Sequence, residues 1–403
     1  MAATSTSDRY HLLDALRGFA LLGIVIANYP VMAFWIFMDP EQQAALPFSV
    51  HDPLLKDLEH IFIQGKFYSI FSMLFGIGFG IFLTRGTTMR FLRRMVVLAL
   101  IGWIHLRFFW EGDILLLYAL IGLTLPLFNK LRDRWLLPLA AMLLLVPILL
   151  EHLIDTGAYA LPERLWKFSF NALQGTGIDD KAYVNGGLHE FLTYRSAAWL
   201  ARVAHVVGDH RPFKVLALFL IGLFIARRRL FRDPEKHRGT LRAVFLIGLP
   251  GLVPTYFAAT LPPGQYVTHT ALLAMGTAPL ALSIAAAFAL IWTRERGRRI
   301  LHILSPAGRM ALTNYLGQTF IGQSIFSGVG LALATRIGLG AIFPIAIAVF
   351  IAQVIFSHWW LARFQFGPFE WLWRVLTYGR YMSLRRPVAM PIEKRQPTEL
   401  AEP

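Results

Sequence analysis

The sequence predicts an all-α, polytopic integral membrane protein of about ten transmembrane helices with both termini in the cytoplasm. Three observations carry that prediction. Apolar runs of roughly 17–25 residues recur along nearly the whole chain, each long enough to cross ~30 Å of hydrocarbon as a helix. Of 403 residues, 56% are hydrophobic and only 16% charged, far from the balance of a soluble domain. The polar breaks alternate in charge, and the arginine-rich set marks the cytoplasmic side. With ten spans, 28 of the 39 Lys and Arg fall on that side and 11 on the other, whereas nine or eleven spans would carry an arginine cluster outward.

The first run, 16–37, follows Arg9 and Arg17 and has no small-residue cleavage site behind it, so it reads as a retained signal anchor. An acidic segment, 39–64, leads to the second run, 67–83, and then to Arg85, Arg90, Arg93 and Arg94. The third run, 95–109, turns tightly through Glu111-Gly112-Asp113 into the fourth, 114–128, and Lys130, Arg132 and Arg134 follow. After the fifth, 135–150, comes the longest polar stretch, 151–211. Its aromatics (Trp166, Phe168, Phe170, Phe191, Trp199) predict surface or re-entrant helices on the extracytoplasmic side rather than a disordered loop. The sixth run, 213–226, ends at Arg227-Arg228-Arg229; the seventh is 243–259 and the eighth 267–292, before Arg294, Arg296, Arg298 and Arg299. The ninth, 310–334, and tenth, 341–361, complete one domain over 1–380, and 381–403 form a disordered cytoplasmic tail.

Several function classes fall away. The excess of 39 Lys and Arg over 24 Asp and Glu would suit nucleic acid, but the arginines sit in short breaks and form no arm or face. The chain has no cysteine, which removes disulfides, thiolate nucleophiles and cysteine-held metals. No ligand pair has metal-binding helical spacing, and Thr193 stands where a zincin helix begun by His189-Glu190 needs its second histidine. Gly76-Ile-Gly-Phe-Gly80 lies inside an apolar run with no preceding strand, so it reads as a helix-packing motif and not a nucleotide loop.

In hydrocarbon each polar side chain needs a partner or a task, and three groups stand out. Asp14, Arg17 and Asn28 lie on the first helix, the first two spaced for an ion pair and the third near mid-membrane. Glu59, His60, Gln64, Lys66, His105, Arg107, Glu111 and Asp113 gather at the extracytoplasmic ends of spans two to four, where a histidine beside a carboxylate can act as a general base. The third group opens the ninth span. Ser305 is the expected N-cap and Pro306 the first helical residue, Asn314 and Gln318 share a face, and Arg309 at a helix N-terminus opposes the macrodipole and so calls for an anion.

The segments Leu13-Asp14-Ala-Leu-Arg17-Gly18-Phe, Gly65-Lys66-Phe67-Tyr-Ser-Ile-Phe71-Ser72, Gly112-Asp113-Ile-Leu-Leu-Leu-Tyr118 and Gly308-Arg309-Met-Ala-Leu-Thr313-Asn314-Tyr315 together resemble the YeiB-like family of bacterial membrane proteins. Gly367-Pro368-Phe-Glu370-Trp371-Leu-Trp373-Arg374 through Gly379-Arg380 is similar to its C-terminal signature. The resemblance extends distantly to the transmembrane acyltransferases that include heparan-glucosaminide N-acetyltransferase and the O-antigen acetylases. Asn28 follows Arg17 at the spacing of their Arg-x10-His, with Asn for His, and His60 precedes Gly65 as in a His-x-x-Trp-Asn-Gly segment, with Ile63 for Trp.

That likeness implies an inner-membrane enzyme moving an acyl group from cytosolic acyl-CoA, acetyl-CoA in the relatives, to a cell-envelope glycan or lipid acceptor. His60, Glu59, Asp113 and Asn28 would be catalytic. Arg17, Arg309, Asn314, Tyr315 and Gln318 would hold the CoA, and Lys66, His105 and Tyr118 the acceptor. Membrane lipids are the expected surroundings and a homodimer is left open. A transporter of a small anionic or amphipathic solute and a non-catalytic envelope protein are the alternatives.

Overall fold

The computed structural model describes residues 11–84 and 86–386. Arg9, Arg85 and the tail from position 387 lie outside the described residues. Within them all regular structure is helical, apart from an isolated antiparallel bridge between Phe364 and Arg385.

The first apolar run forms α1 (His11–Met32), followed by the short α2 (Pro40–Ala44) and α3 (Asp52–Phe62). Then come α4 (Lys66–Leu83), α5 (Thr88–Phe108), α6 (Leu115–Gly122) and α7 (Asp133–Asp155). The long polar stretch folds as α8 (Leu161–Gln174), α9 (Asp180–Asn185) and α10 (Leu188–Gly208). The chain continues through α11 (Arg211–Arg227), α12 (Arg238–Gly248), α13 (Leu252–Thr260), α14 (Tyr266–Trp292) and α15 (Glu295–His302). It ends with α16 (Ser305–Arg309), α17 (Ala311–Phe326), α18 (Leu339–Arg363) and α19 (Pro368–Tyr378).

Six segments are long and apolar enough to cross a membrane, namely α1, the α3–α4 pair, α7, the α12–α13 pair, α14 and α18. The protein is therefore a helical membrane protein. The other apolar runs are helical too, but α6, α11 and α17 are short, and α5 carries Arg90, Arg93, Arg94 and Arg107.

Helix ends depart from the expected ones for local reasons. Pro126 and Pro250 lack the N–H that an α-helix interior needs, and each sits in a 3₁₀ turn, Leu125–Phe128 and Leu249–Gly251. The ninth helix stops at Phe326 and not at 334, because the N–H groups of Leu331 and Ala332 turn back to the carbonyls of Ser324 and Ser327. Ser305 is not an N-cap: it lies inside α16, and its hydroxyl donates to the His11 carbonyl. The described part of the tail is bonded, with Gln365 N–H donating to the Leu384 carbonyl and Trp371 Nε1 to that of Met382.

The centre is built from α1, α4, α11 and α14, where Leu16, Leu21, Ile70, Leu74, Phe219 and Ala281 are almost wholly buried. Apolar burial does not drive helices together in lipid, so close van der Waals approach must. Gly76 of α4 has no room for a Cβ against the Phe219 carbonyl of α11, and Gly222 of α11 none against the Met73 carbonyl of α4. The suspected packing motif is thus one side of a reciprocal crossing. By contrast, Met142, Leu145 and Leu149 of α7 are more than half exposed, as a lipid-facing helix allows.

Polar pins fix the periphery. Asp52 accepts from Trp35 Nε1 (3.0 Å) and from the N–H groups of Leu339 (3.0 Å) and Gly340 (3.1 Å), which caps α18 from a segment far away in sequence. Buried Arg195 of α10 pairs with Glu111 in the α5–α6 turn, beneath the rings of Tyr183, Phe191 and Tyr194. Gly76→Leu is expected to destabilise the fold by about 1–3 kcal/mol, the usual cost of overpacking. Gly239→Ala, at a position with open space around it, should leave the thermal midpoint in detergent unchanged. Equal midpoints for the two would refute the α4–α11 crossing.

Candidate functional site

A cavity of about 2640 Å³ runs through the bundle. Its wall on α1 extends from Asp14 to Val31, which at 1.5 Å per residue is roughly 25 Å, most of the thickness of the hydrocarbon. The middle is aromatic and apolar: Phe71, Phe75, Leu98, Tyr118 and Leu218 line it. Phe75 stacks on Phe219 at 4.6 Å and meets Tyr118 edge-on at 5.7 Å. Tyr118 shares a hydrogen bond with Ser72 (2.6 Å) and donates to the Tyr68 carbonyl (3.0 Å), so its hydroxyl is satisfied at the wall. Asn28 also lines the cavity, and its side chain makes no hydrogen bond to a described residue.

One end is basic. Arg17, Arg90, Arg94 and Arg309 line it, with Arg374, Arg380 and Arg386 from the C-terminal segment. Arg17 pairs with Asp14 at 3.0 Å, as its spacing predicted. Arg94 stacks on the Trp373 ring at 3.8 Å while Trp373 Nε1 donates to the Arg94 carbonyl at 2.9 Å, so α19 is bound to α5. Arg309 ends α16 and does not open a helix. The N-terminus of α17 is served by Glu370, which accepts from the N–H groups of Leu312 (2.7 Å) and Thr313 (3.1 Å) and from the Thr313 hydroxyl (2.6 Å). The anion that this helix start calls for is the protein's own carboxylate. Burial pushes Glu370 above the usual carboxylate range despite these three donors.

The other end is mixed in charge. His60 lines it beside Glu59 and Gln64, and its Nε2 is buried without a hydrogen-bond partner among the described residues. Facing it across the cavity mouth are Arg202, His205, Asp209, Arg211, Lys214 and His269. His205 Nε2 lies 3.1 Å from Asp209 and 2.9 Å from Arg211, whose Nε reaches Asp209 at 2.9 Å. Burial lowers His205 to about 4, so its imidazole is neutral at pH 7. Burial alone would raise Asp209, but Arg211, His205 and Lys214 outweigh it and leave that carboxylate lowered.

Five expected site residues, Lys66, His105, Asp113, Asn314 and Gln318, are not on this lining. Lys66 is fully buried, and its Nζ donates to the His60 carbonyl at 2.8 Å, supporting the turn that carries the histidine. Asp113 serves His105 and not His60. Its Oδ2 lies 2.8 Å from His105 Nδ1, its Oδ1 accepts from Leu116 N–H at 2.8 Å, and His105 Nε2 reaches the Thr319 hydroxyl at 3.0 Å. Asn314 and Gln318 do share a face, but it points to α18. Asn314 Nδ2 donates to Ser357 (3.0 Å) and Gln318 Nε2 to Gln353 (3.0 Å), and Gln353 Nε2 returns a bond to the Asn314 carbonyl (2.8 Å). Tyr315, between them, does reach the cavity, where its hydroxyl accepts from Ile114 N–H at 3.3 Å.

Sequence reasoning missed the C-terminal arginines as cavity residues, the His205–Asp209–Arg211 group and the capping by Glu370. Only the last left a usable trace, a lone acid in an otherwise basic and aromatic segment.

These features define the class, a helical membrane protein with a polar-ended cavity through its centre. The chain is 31% identical over 398 residues to the uncharacterized protein YxaH of Bacillus subtilis, covering 95% of this chain and 98% of that one. It is 30% identical over 387 residues to the uncharacterized protein YeiB of Escherichia coli, covering 92% and 96%. A 39.9 kDa protein from the amylase 3' region of Bacillus acidopullulyticus is 29% identical over 387 residues, covering 94% and 97%. Residues 225–380 match the family described as protein of unknown function, DUF418. No solved structure matches the chain. The protein belongs to the YeiB-like family.

The buried His105–Asp113 pair should be needed for folding. Asp113→Ala orphans two buried donors at about 1–3 kcal/mol each, so the thermal midpoint should fall sharply, and Asp113→Asn, which keeps an acceptor, should recover part of the loss. An unchanged midpoint for Asp113→Ala would show that the pair does not hold α5 to α6.

Proposed function

We propose that the protein is a membrane-embedded acyltransferase that moves an acyl group from cytosolic acyl-CoA to a hydroxyl or amine on an extracytoplasmic or lipid-linked cell-envelope acceptor. The observation that carries this reading is one continuous cavity with arginines at one end and, at the other, a histidine whose Nε2 has no partner among the described residues. A bulky anionic donor and an acceptor that never enters the cytoplasm need such a passage. The reading places the basic end in the cytoplasm of a bacterial inner membrane, with ten spans and both termini inside.

In this scheme Arg17 and Arg309 hold the donor phosphates, and the thioester lies in the aromatic middle near Asn28, Tyr118 and Tyr315. His60 Nε2 takes the proton as the acceptor oxygen or nitrogen bonds to the acyl carbon; the C–S bond breaks and the thiolate leaves with a proton. Glu59 and Gln64 are the polar groups beside His60, since Asp113 is committed to His105. A through-running cavity also supports a second reading, transport of a small anionic or amphipathic solute.

His60→Ala should abolish release of CoA from acetyl-CoA in the presence of cell-envelope glycans while melting like the parent. A protein that keeps full function without His60 would favour transport. Arg17→Gln should weaken acetyl-CoA binding about ten- to a hundredfold, and a double-mutant cycle with Asp14 separates that loss from a structural ion pair. Coupling in stability with unchanged affinity would remove Arg17 from the site.

The absence of cysteine makes orientation directly measurable with single cysteines. Gly239→Cys and Gln265→Cys, both exposed, should label only from the cytoplasmic and only from the extracytoplasmic side respectively. Labelling of both from one side would overturn the ten-span arrangement.

A further inference from the structure

We propose that the basic end of the cavity is a binding site for an organic diphosphate, and that the C-terminal segment from α19 to Arg386 completes it. The inference rests on and deepens the acyltransferase reading, since CoA contains a diphosphate, and adds Arg90, Arg94, Arg380 and Arg386 to Arg17.

Charge balance is the first ground. Arg90 and Arg94 of α5 converge on this end with Arg374, Arg380 and Arg386, as does Arg17. Among the described lining residues here, the carboxylates are Asp14 and Glu370. Asp14 is 3.0 Å from Arg17, and Glu370 spends its oxygens on Leu312 and Thr313. Arg94 is within Coulombic reach of Arg374 and Arg17, with Glu370 as the carboxylate near it. Guanidinium groups brought so close repel one another unless an anion lies between them.

Construction is the second ground. The C-terminal segment is fastened in place at each step. Glu370 caps α17, Trp373 donates to the Arg94 carbonyl and carries its guanidinium at 3.8 Å, and Arg374 lies over the Phe366 ring at 4.5 Å. Gln365 Nε2 donates to the Arg385 carbonyl at 2.8 Å, which turns the chain back towards the cavity before Arg386. Stacking on Trp373 holds the Arg94 guanidinium plane fixed while leaving its N–H edges for a ligand, and planar forks match phosphate oxygens in pairs. Two linked phosphates suit several converging arginines better than one does.

The same chemistry occurs in the nucleotide part of CoA and in a lipid diphosphate. The test measures binding of coenzyme A, farnesyl diphosphate and inorganic phosphate to the full-length protein in nanodiscs. At least one diphosphate should bind much more tightly than phosphate, and weaken as salt rises. Preference for coenzyme A identifies a nucleotide donor, and preference for farnesyl diphosphate a lipid. Arg94→Gln should weaken that binding about ten- to a hundredfold. Because Arg94 also packs on Trp373, the exposed pair Arg380→Gln and Arg386→Gln provides a variant that keeps the fold and should still lose affinity. Arg238→Gln on α12, away from the cavity, should change nothing.

Failure of every diphosphate to bind overturns the proposal, as does full affinity in the Arg380→Gln, Arg386→Gln protein together with full affinity in Arg94→Gln. The two readings fail separately. Diphosphate binding that these variants weaken, without any acyl transfer, sinks the enzyme and keeps the site. Acyl transfer unaffected by the variants does the reverse.

Discussion

The contact on which the rest of the cavity depends is the crossing of α1 and α16. Gly308 has no room for a Cβ against the Asp14 carbonyl, and Gly18 has none against that of Leu304. Two bare backbones therefore touch at a point nearly three hundred residues apart in the chain. Lipid offers no hydrophobic drive for helix association, so such direct approach is what holds the bundle's ends together. The crossing sets Arg17 and Arg309 on one cavity wall, and it brings the start of α17 within reach of Glu370. Any side chain at either glycine would separate the two arginines before it disturbed their chemistry.

Much of the fold was legible because a bilayer enforces a simple grammar of apolar runs and basic breaks. Each apolar run is helical, and the aromatics of 151–211 did mark helices. Helix ends were less legible where the backbone turns on hydrogen bonds that composition does not reveal, as after Phe326. The arginine at 309 illustrates the limit. The macrodipole argument put Arg309 at a helix start, whereas it ends α16, and the start of α17 is capped by Glu370, sixty-one residues downstream, which nothing local could have said.

The site was half legible. Arg17, Asn28, His60, Tyr118, Arg309 and Tyr315 all reach the cavity, because a polar residue in an apolar run is costly unless something uses it. Asn314 and Gln318 satisfied the same test for a different reason: their use is Ser357 and Gln353 on α18. Those two residues repeat the same four-residue spacing inside the tenth apolar run, a signal that pairs of polar positions on two helices face each other. His105 and Asp113 were grouped correctly by the tight turn between them but joined to the wrong histidine.

The three polar systems differ in what they face. The His105–Asp113 pair closes on Leu116 and Thr319, as buried polar groups in an apolar medium must. Asn314 and Gln318 bond across to α18, with Gln318 Oε1 left without a partner among the described residues. At the cavity, among the described residues, His60 Nε2 has no partner, the Asn28 side chain has no hydrogen bond, and the lining arginines of the basic end outnumber its carboxylates. Between them lies an aromatic stretch where Phe75, Tyr118 and Phe219 pack against one another, apolar enough to resist ions yet lined by a tyrosine hydroxyl. On the proposed reading such a middle would hold an acyl chain or thioester, which an apolar, aromatic wall accommodates at far lower cost than a free anion.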